Sequence, residues 1–216
     1  MRNYLIYALG LMTVGYFSYQ YPLFSYALLS LMAILFVYIL LAGIVQLFRK
    51  HLDGKWFYFP LAIFSIPIFG LLIGLLRPLP DAIIPSDDVS KKLEYAYSTD
   101  QGDRKNLKFF LPTYRAQMIK RDSIRLVQVR DLKERGKINK SMDKFHAAFV
   151  LHHNHIKDSA LYRMAHTLAH EADADNAMEG NLQVEWLKKA TYDRWMLSIG
   201  KAQKYNTQGG ISFEVQ

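Results

Sequence analysis

Three long runs without a charged side chain dominate the first third of this sequence. They are residues 4–21, 23–48 and 56–76. A helix needs roughly 20 apolar residues to cross a bilayer's hydrocarbon core, so each run is long enough to span or nearly so. The first is the weakest, because it carries Ser18 and Gln20. A signal peptide is the competing reading for it, but no small-x-small cleavage site precedes a polar segment. The expectation is a retained helix and a membrane anchor over 1–77, of about three transmembrane helices. Residues 19–22, Tyr-Gln-Tyr-Pro, would turn the first hairpin.

Residues 1–80 hold only Arg2, Arg49, Lys50, Asp53, Lys55 and Arg77 as charged groups. No ionisable group lies in mid-run, which argues against an ion or proton path, since such paths are marked by buried charges. Tyr4, Tyr19, Tyr21, Trp56 and Tyr58 fall where interfacial aromatics belong. Arg49, Lys50 and Lys55 favour the cytoplasmic side for the loop that holds them. That places everything after Arg77 outside, on the periplasmic side of an inner membrane. Gly70 and Gly74 form a small-xxx-small pair through which two copies could associate, although glycine is common in membrane helices anyway. The lipid bilayer is the expected partner.

From Asp81 onward the composition inverts, with 22 basic and 18 acidic side chains (27 − 5 and 19 − 1). Pro78, Pro80 and Pro85 read as an extended linker over 78–90. Helical signals follow over 91–208, and 209–216 reads as a tail. Ser86 to Asp88 can start a helix to about Tyr97. Pro112 opens one that Gly136 closes, and Ser141 begins one to about His153. Asp158 or Ser159 begins a fourth, and Gly180 and Asn181 precede a fifth that ends at Gly200. Alternation appears only at Ile211, Phe213 and Val215, where a short strand is possible. The fold class expected is all-α: transmembrane helices followed by a small helical bundle.

Several chemistries lack their residues. There is no cysteine, hence no disulfide framework and no Cys-ligated metal site. Nucleophile elbows and phosphate-binding loops are missing, and no cofactor is expected. Residues 104–140 carry 12 basic and 3 acidic side chains. Without a recognised nucleic-acid motif, and outside the membrane, this reads as a solvated face or one near anionic lipid rather than a nucleic-acid surface. His166 and His170 lie four apart on one helix face. They lack the glutamate of a zincin motif and lie opposite the apolar stripe Leu161, Ala165, Leu168 and Ala172, so they face water and make only weak metal ligands.

The more informative residues are polar ones on apolar stripes. Met118, Asp122, Leu126 and Val129 share a stripe, with Arg125 beside it. Phe145, Phe149 and His152 share another, and Trp186, Ala190, Asp193 and Leu197 a third. A buried carboxylate must be paired or neutralised. Arg104, Arg125 and Arg194 are the candidate partners. Two readings follow: an internal salt-bridge network that fixes helix packing, or a polar site whose perturbed groups serve binding or catalysis. Asp122, His152 and Asp193 are the candidate acid–base residues.

The run Asp193-Arg194, then Gly200-Lys-Ala-Gln203-Lys-Tyr205-Asn-Thr207-Gln208, resembles the C-terminal signature of an uncharacterised bacterial family. That signature is Asp-Arg followed by Gly-Lys-x-Gln-x-Tyr-Gly-Thr-Gln. The family's early Asp-Gln-x-x-Arg is matched by Asp100, Gln101 and Arg104. Asp122, Gly136 and the run to His152 and His153 resemble its central part. Asn206 stands where the family has glycine, and asparagine also tolerates a left-handed turn. The resemblance covers about 100–208 and implies a helical domain of unassigned activity. Its polar positions here are Asp100, Gln101, Arg104, Asp122, His152, His153, Asp193, Arg194, Gln203, Tyr205, Thr207 and Gln208. The function expected is a membrane-anchored module that binds or senses a small or peptide-like ligand. The alternatives are a hydrolase-type enzyme using Asp and His, and a structural membrane assembly protein.

Overall fold

The structure is a computed structural model describing residues 2–48 and 53–209. Eight α-helices and two 3-10 turns make up its regular structure among those residues, with no strand. The alternating segment at 211–215 lies outside them. The chain divides into two compact units, Met1–Leu79 with Lys105–Phe110, and Pro80–Arg104 with Leu111–Gln216.

The first unit holds α1 (Arg2–Gln20), α2 (Phe24–Phe48) and α3 (Lys55–Leu76). Helices α2 and α3 are long and apolar enough to cross a membrane. Only 11% of each apolar window is buried, whereas the core helix of a soluble protein would be mostly buried. Leucine, isoleucine and phenylalanine side chains cover the outside of both. Two helices, not three, are long and apolar enough to span; the polar residues of α1 set it apart.

Helix α1 nevertheless lies along α3. Tyr7 donates its hydroxyl to Ser65 Oγ at 2.5 Å, and Ser65 donates to the carbonyl of Ala62. A Cβ on Gly15 would lie 3.0 Å from Ile73. Further on, the Arg77 guanidinium donates to the carbonyls of Tyr19 and Gln20, where α1 ends. Tyr7–Ser65 and Tyr19–Arg77 are each 58 positions apart, so α1 and α3 run parallel in register. A cation on the last carbonyls of α1 also suits the helix dipole. Helix α2 runs antiparallel to α3, because Leu28 meets Gly70 while Ser25 meets Gly74.

Gly70 is where the three helices come closest. A Cβ there would sit 2.5 Å from Val14, 2.6 Å from Leu28 and 2.8 Å from Ser18 Oγ. The close approach that Gly70 and Gly74 permit is therefore made within the chain.

The second unit holds α4 (Val89–Arg104), α5 (Pro112–Glu134), α6 (Ser141–His152), α7 (Ser159–Asp173) and α8 (Leu182–Ser198). Helix α6 is the centre: α4, α5, α7 and α8 all pack on it. Its residues Phe145 to His152 are all buried. The stops expected from glycine hold, since Gly136, Gly180 and Gly200 all have positive φ. Helix α4 runs on past Tyr97 to Arg104, which puts Asp100, Asp103 and Arg104 on one helix. Ala82 is buried, and its carbonyl and that of Pro80 accept bonds from Thr99 and Arg121.

The packing at Gly70 predicts a contrast between two alanine substitutions. Gly70→Ala should cost roughly 1–3 kcal/mol through overpacking. Gly43→Ala, whose Cβ meets nothing within 4 Å, should be neutral or slightly stabilising. Melting temperatures of the full chain in detergent check this.

Candidate functional site

Helix α5 begins at Pro112, whose missing N–H would have no helical partner there anyway. Its buried face carries Tyr114, Met118, Asp122, Arg125, Leu126, Val129 and Leu132. Most of that face is ordinary core. The exception is Arg125, which is fully buried, at 0% exposure. A guanidinium has five donors and cannot shed its charge. Here Nη1 donates to Asp122 at 2.9 Å, Nη2 to Asp103 at 2.5 Å and Nε to Thr99 Oγ1 at 3.2 Å.

The pairing extends from there in both directions. Asp103 accepts from Arg121 at 2.7 Å, and its backbone carbonyl accepts from the Tyr114 hydroxyl at 3.1 Å. Asp122 accepts from Arg104 at 2.9 Å. Arg104 turns its other amino group to Asp100 at 2.7 Å. Asp100 in turn meets His153 Nδ1 at 2.7 Å and Gln101 Nε2 at 3.1 Å. Three carboxylates and three guanidiniums thus alternate through the interface of α4 and α5, and reach the end of α6 through His153. Exposure varies along the chain of pairs: Arg125 and Asp100 are fully buried, while the side chains of Arg104, His153 and Arg121 are 19%, 13% and 13% exposed. The network is sealed at Arg125 and reaches partial exposure at Arg104, Gln101 and His153 on one side and at Arg121 on the other.

The charges set each other's titration. Burial alone would push Asp100 up, but Arg104, then His153 and Arg125, bring it down to about 2. Burial and the neighbouring Asp100 push Asp122 up, against the pull of Arg104 and Arg125. Burial, with Arg104, holds His153 below the ordinary imidazole range, outweighing Asp100. A neutral His153 therefore donates its Nδ1–H to Asp100, and its Nε2 is left as an acceptor.

His152 is adjacent but differently placed. It is 2% exposed, and its Nδ1 has no hydrogen-bond partner. Burial, then Arg194, His153 and Arg104, holds it well below its ordinary value, so it too is neutral. Arg194 Nη1 donates to the His152 backbone carbonyl at 2.7 Å. Arg194 Nε donates to Gln208 Oε1 at 2.9 Å, and Gln208 Nε2 donates to the carbonyl of Ala190 at 3.2 Å.

Asp193 is placed otherwise than its helical stripe suggests. Its partner is not an arginine but the backbone of the following loop. The carboxylate accepts from the N–H groups of Lys204 (2.8 Å), Tyr205 (3.0 Å) and Thr207 (2.9 Å), and from the Thr207 hydroxyl (2.8 Å). Burial raises Asp193, and these bonds more than offset it, so the group is held low. Asn206 takes a positive φ of 56° between them, the conformation for which glycine is favoured. Gln203 Oε1 accepts from the Gln208 N–H at 2.9 Å. The tail signature is thus a loop wrapped on one carboxylate. A carboxylate so fully hydrogen-bonded is the fixed point on which that loop is built. Trp186 and Leu197, expected on its buried stripe, are exposed; Val184, Leu187, Ala190 and Thr191 line that face instead.

His166 departs from expectation as well. It is half-buried, stacked on Trp195 with centroids 5.8 Å apart and set edge-on to Tyr192 at 5.3 Å, while His170 is exposed. No cluster of three or more metal-ligating side chains occurs among the described residues.

Of the residues singled out in the sequence, Asp100, Gln101, Arg104, Asp122, Arg125 and His153 form one connected network. Arg194 borders His152; Gln203, Tyr205, Thr207 and Gln208 lie in the tail loop, which Asp193 of α8 holds. Asp103, Arg121 and Tyr114 were missed. Asp103 and Arg121 signal themselves only through their helical spacing to Asp100 and Arg125, which matters once α4 is known to extend to Arg104. No protein-family profile, curated protein or solved structure matches the chain.

These directions of titration have a consequence for stability. His152 and His153 bind protons more readily unfolded than folded. Stability from the neutral rings is full above about pH 6.5 and is lost as pH falls through that value toward the lower folded ones. Asp100, folded at about 2 against 3.8 ordinarily, adds a further loss at still lower pH. The melting temperature should therefore fall between about pH 7 and pH 5, and His152→Leu should reduce that slope. Differential scanning calorimetry across this range checks the sign; a flat profile would contradict the assignment.

Proposed function

We propose that this chain is a membrane-anchored helical module that binds a small or peptide-like polar ligand at the open end of the Asp100–Arg104–His153 network. The observation that carries the reading is His152 beside that end. A buried ring nitrogen without a partner costs about 1–3 kcal/mol; His146 and His166 have one as well, but of the three it is His152 that adjoins His153. Beside it stand His153, its ring centroid 5.3 Å away, and the charge of Arg104. Buried Arg125, Asp103 and Asp122 hold Arg104 in one orientation, which is how a rigid support keeps a binding residue in place.

The anchor reading rests on α2 and α3, and the parallel register of α1 with α3 supports a third crossing. A helix that matches α3 from Tyr7 to the level of Arg77 shares its depth in a bilayer. Three crossings, with the basic loop around Arg49, Lys50 and Lys55 on the cytoplasmic side, carry the second unit to the periplasmic face of an inner membrane.

The hydrolase alternative takes a different form from the one the sequence suggested. Asp193 holds the tail loop, and Asp122 lies between two guanidiniums. The Asp–His contact at hydrogen-bond length is Asp100–His153. An imidazole oriented by a carboxylate is a reasonable general base, but the ion pair with Arg104 makes Asp100 equally a structural partner.

Native mass spectrometry of the full chain, released gently from detergent, tests the binding reading. The wild type should carry a small adduct that is lost in Arg104→Gln and in His153→Gln. Identical bare masses for all three proteins, with membrane lipid supplied during purification, would contradict it.

A further inference from the structure

The chain leaves the second unit after Arg104 and rejoins it at Leu111. Between these points Lys105–Phe110 belongs to the first unit, with the three anchor helices. The 3-10 turn Leu107–Phe110 packs against α3. Asn106 starts it, accepting the Lys108 N–H at 3.0 Å. Lys108 Nζ donates to the carbonyl of Arg77, the residue that ends α3. Arg77 is the first charge after the apolar run of α3, so its level marks the edge of the hydrocarbon core.

Phe109 is buried in this turn, but Phe110 is 60% exposed. Leu76, the last residue of α3, is also largely exposed. The basic residues of the same stretches are Arg77, Lys105 and Lys108, and neither 76–79 nor 105–110 contains an acidic one. An exposed aromatic ring among cations, at the level where a membrane helix ends, has the composition of an interfacial membrane contact.

We infer that the turn Lys105–Phe110 is a lipid-binding element, in which Phe110 enters the headgroup–acyl boundary beside α3 while Lys105 faces anionic phospholipid headgroups. This rests on the reading of α2 and α3 as membrane spans. The occupant is a lipid surface because the turn is continuous with the face that α3 presents to lipid. Lys108, already engaged at the α3 terminus, holds the turn at that depth.

The natural absence of cysteine allows a direct test. Single cysteines replace Phe110, Ile34 on the exposed side of α2, and Leu182 in the second unit; all three are exposed side chains, so folding should survive. Each carries an environment-sensitive fluorophore in the full chain, reconstituted in vesicles of phosphatidylcholine alone or mixed equally with phosphatidylglycerol. Quenching is measured with brominated lipid and with aqueous iodide.

The inference requires probes at 34 and 110 to be quenched by brominated lipid, and the probe at 182 by iodide. Emission at 110 should also shift to the blue when phosphatidylglycerol is added, and Lys105→Glu should abolish that shift. A probe at 110 as open to iodide as the one at 182, with 34 still quenched by lipid, overturns the inference and leaves the anchor standing. A probe at 34 quenched by iodide overturns both. A lipid-quenched probe at 110 with no response to phosphatidylglycerol overturns the role given to Lys105.

Discussion

A permanently charged guanidinium with no exposed surface constrains the rest of the second unit. Arg125 cannot lose its proton, and moving it from water costs several kcal/mol unless its donors are met. Meeting them brings Asp103 and Asp122 inside, and those two carboxylates bring Arg121 and Arg104. Arg104 in turn holds Asp100, and Asp100 holds His153. Helices α4, α5 and α6 are thereby tied by directional bonds, where greasy contacts alone would let them slide or rotate. The buried polar atoms are geometrically specific.

Much of this was legible in the residues. Helix ends fell at Pro112, Gly136, Asn181 and Gly200 because each is a local matter of φ, a missing N–H or a capping side chain. The placement of Asp122 among Met118, Leu126 and Val129 announced a buried carboxylate, and solvation physics then demanded arginines; Arg104 and Arg125 are those arginines. What local pattern could not reveal was the choice among partners far apart in sequence. Asp193 obeys the same demand but meets it with three backbone N–H groups and a hydroxyl, an option periodicity cannot see. The bond from His153 to Asp100 spans 53 positions and depends on how α4 and α6 cross. Tyr97 also looked like the end of α4, whereas the helix runs on to Arg104 because Asp100, Asp103 and Arg104 find partners there.

The anchor follows a different logic. Hydrophobicity identified the helices but sets no direction for packing among apolar faces, so their packing depends on shape. Gly70 lets α1 and α2 approach α3 to within contact of a single missing Cβ, and Ser18 and Ser25 lie at that junction. Of the polar residues that make α1 the least apolar of the three helices, Ser18 faces this packing while Gln20 is exposed.

The central claim is that Arg125 is the keystone of the buried charges. The most direct measurement is chemical denaturation of the full chain with Arg125→Met, alone and combined with Asp103→Asn and Asp122→Asn. The single change should cost about 3–5 kcal/mol, because it leaves Asp103 with Arg121 alone and Asp122 with Arg104 alone, each short of one buried guanidinium. Neutralising those carboxylates in the same chain should recover a substantial part, giving clear non-additivity. A loss below about 1 kcal/mol for Arg125→Met, or costs that merely add, would contradict the account.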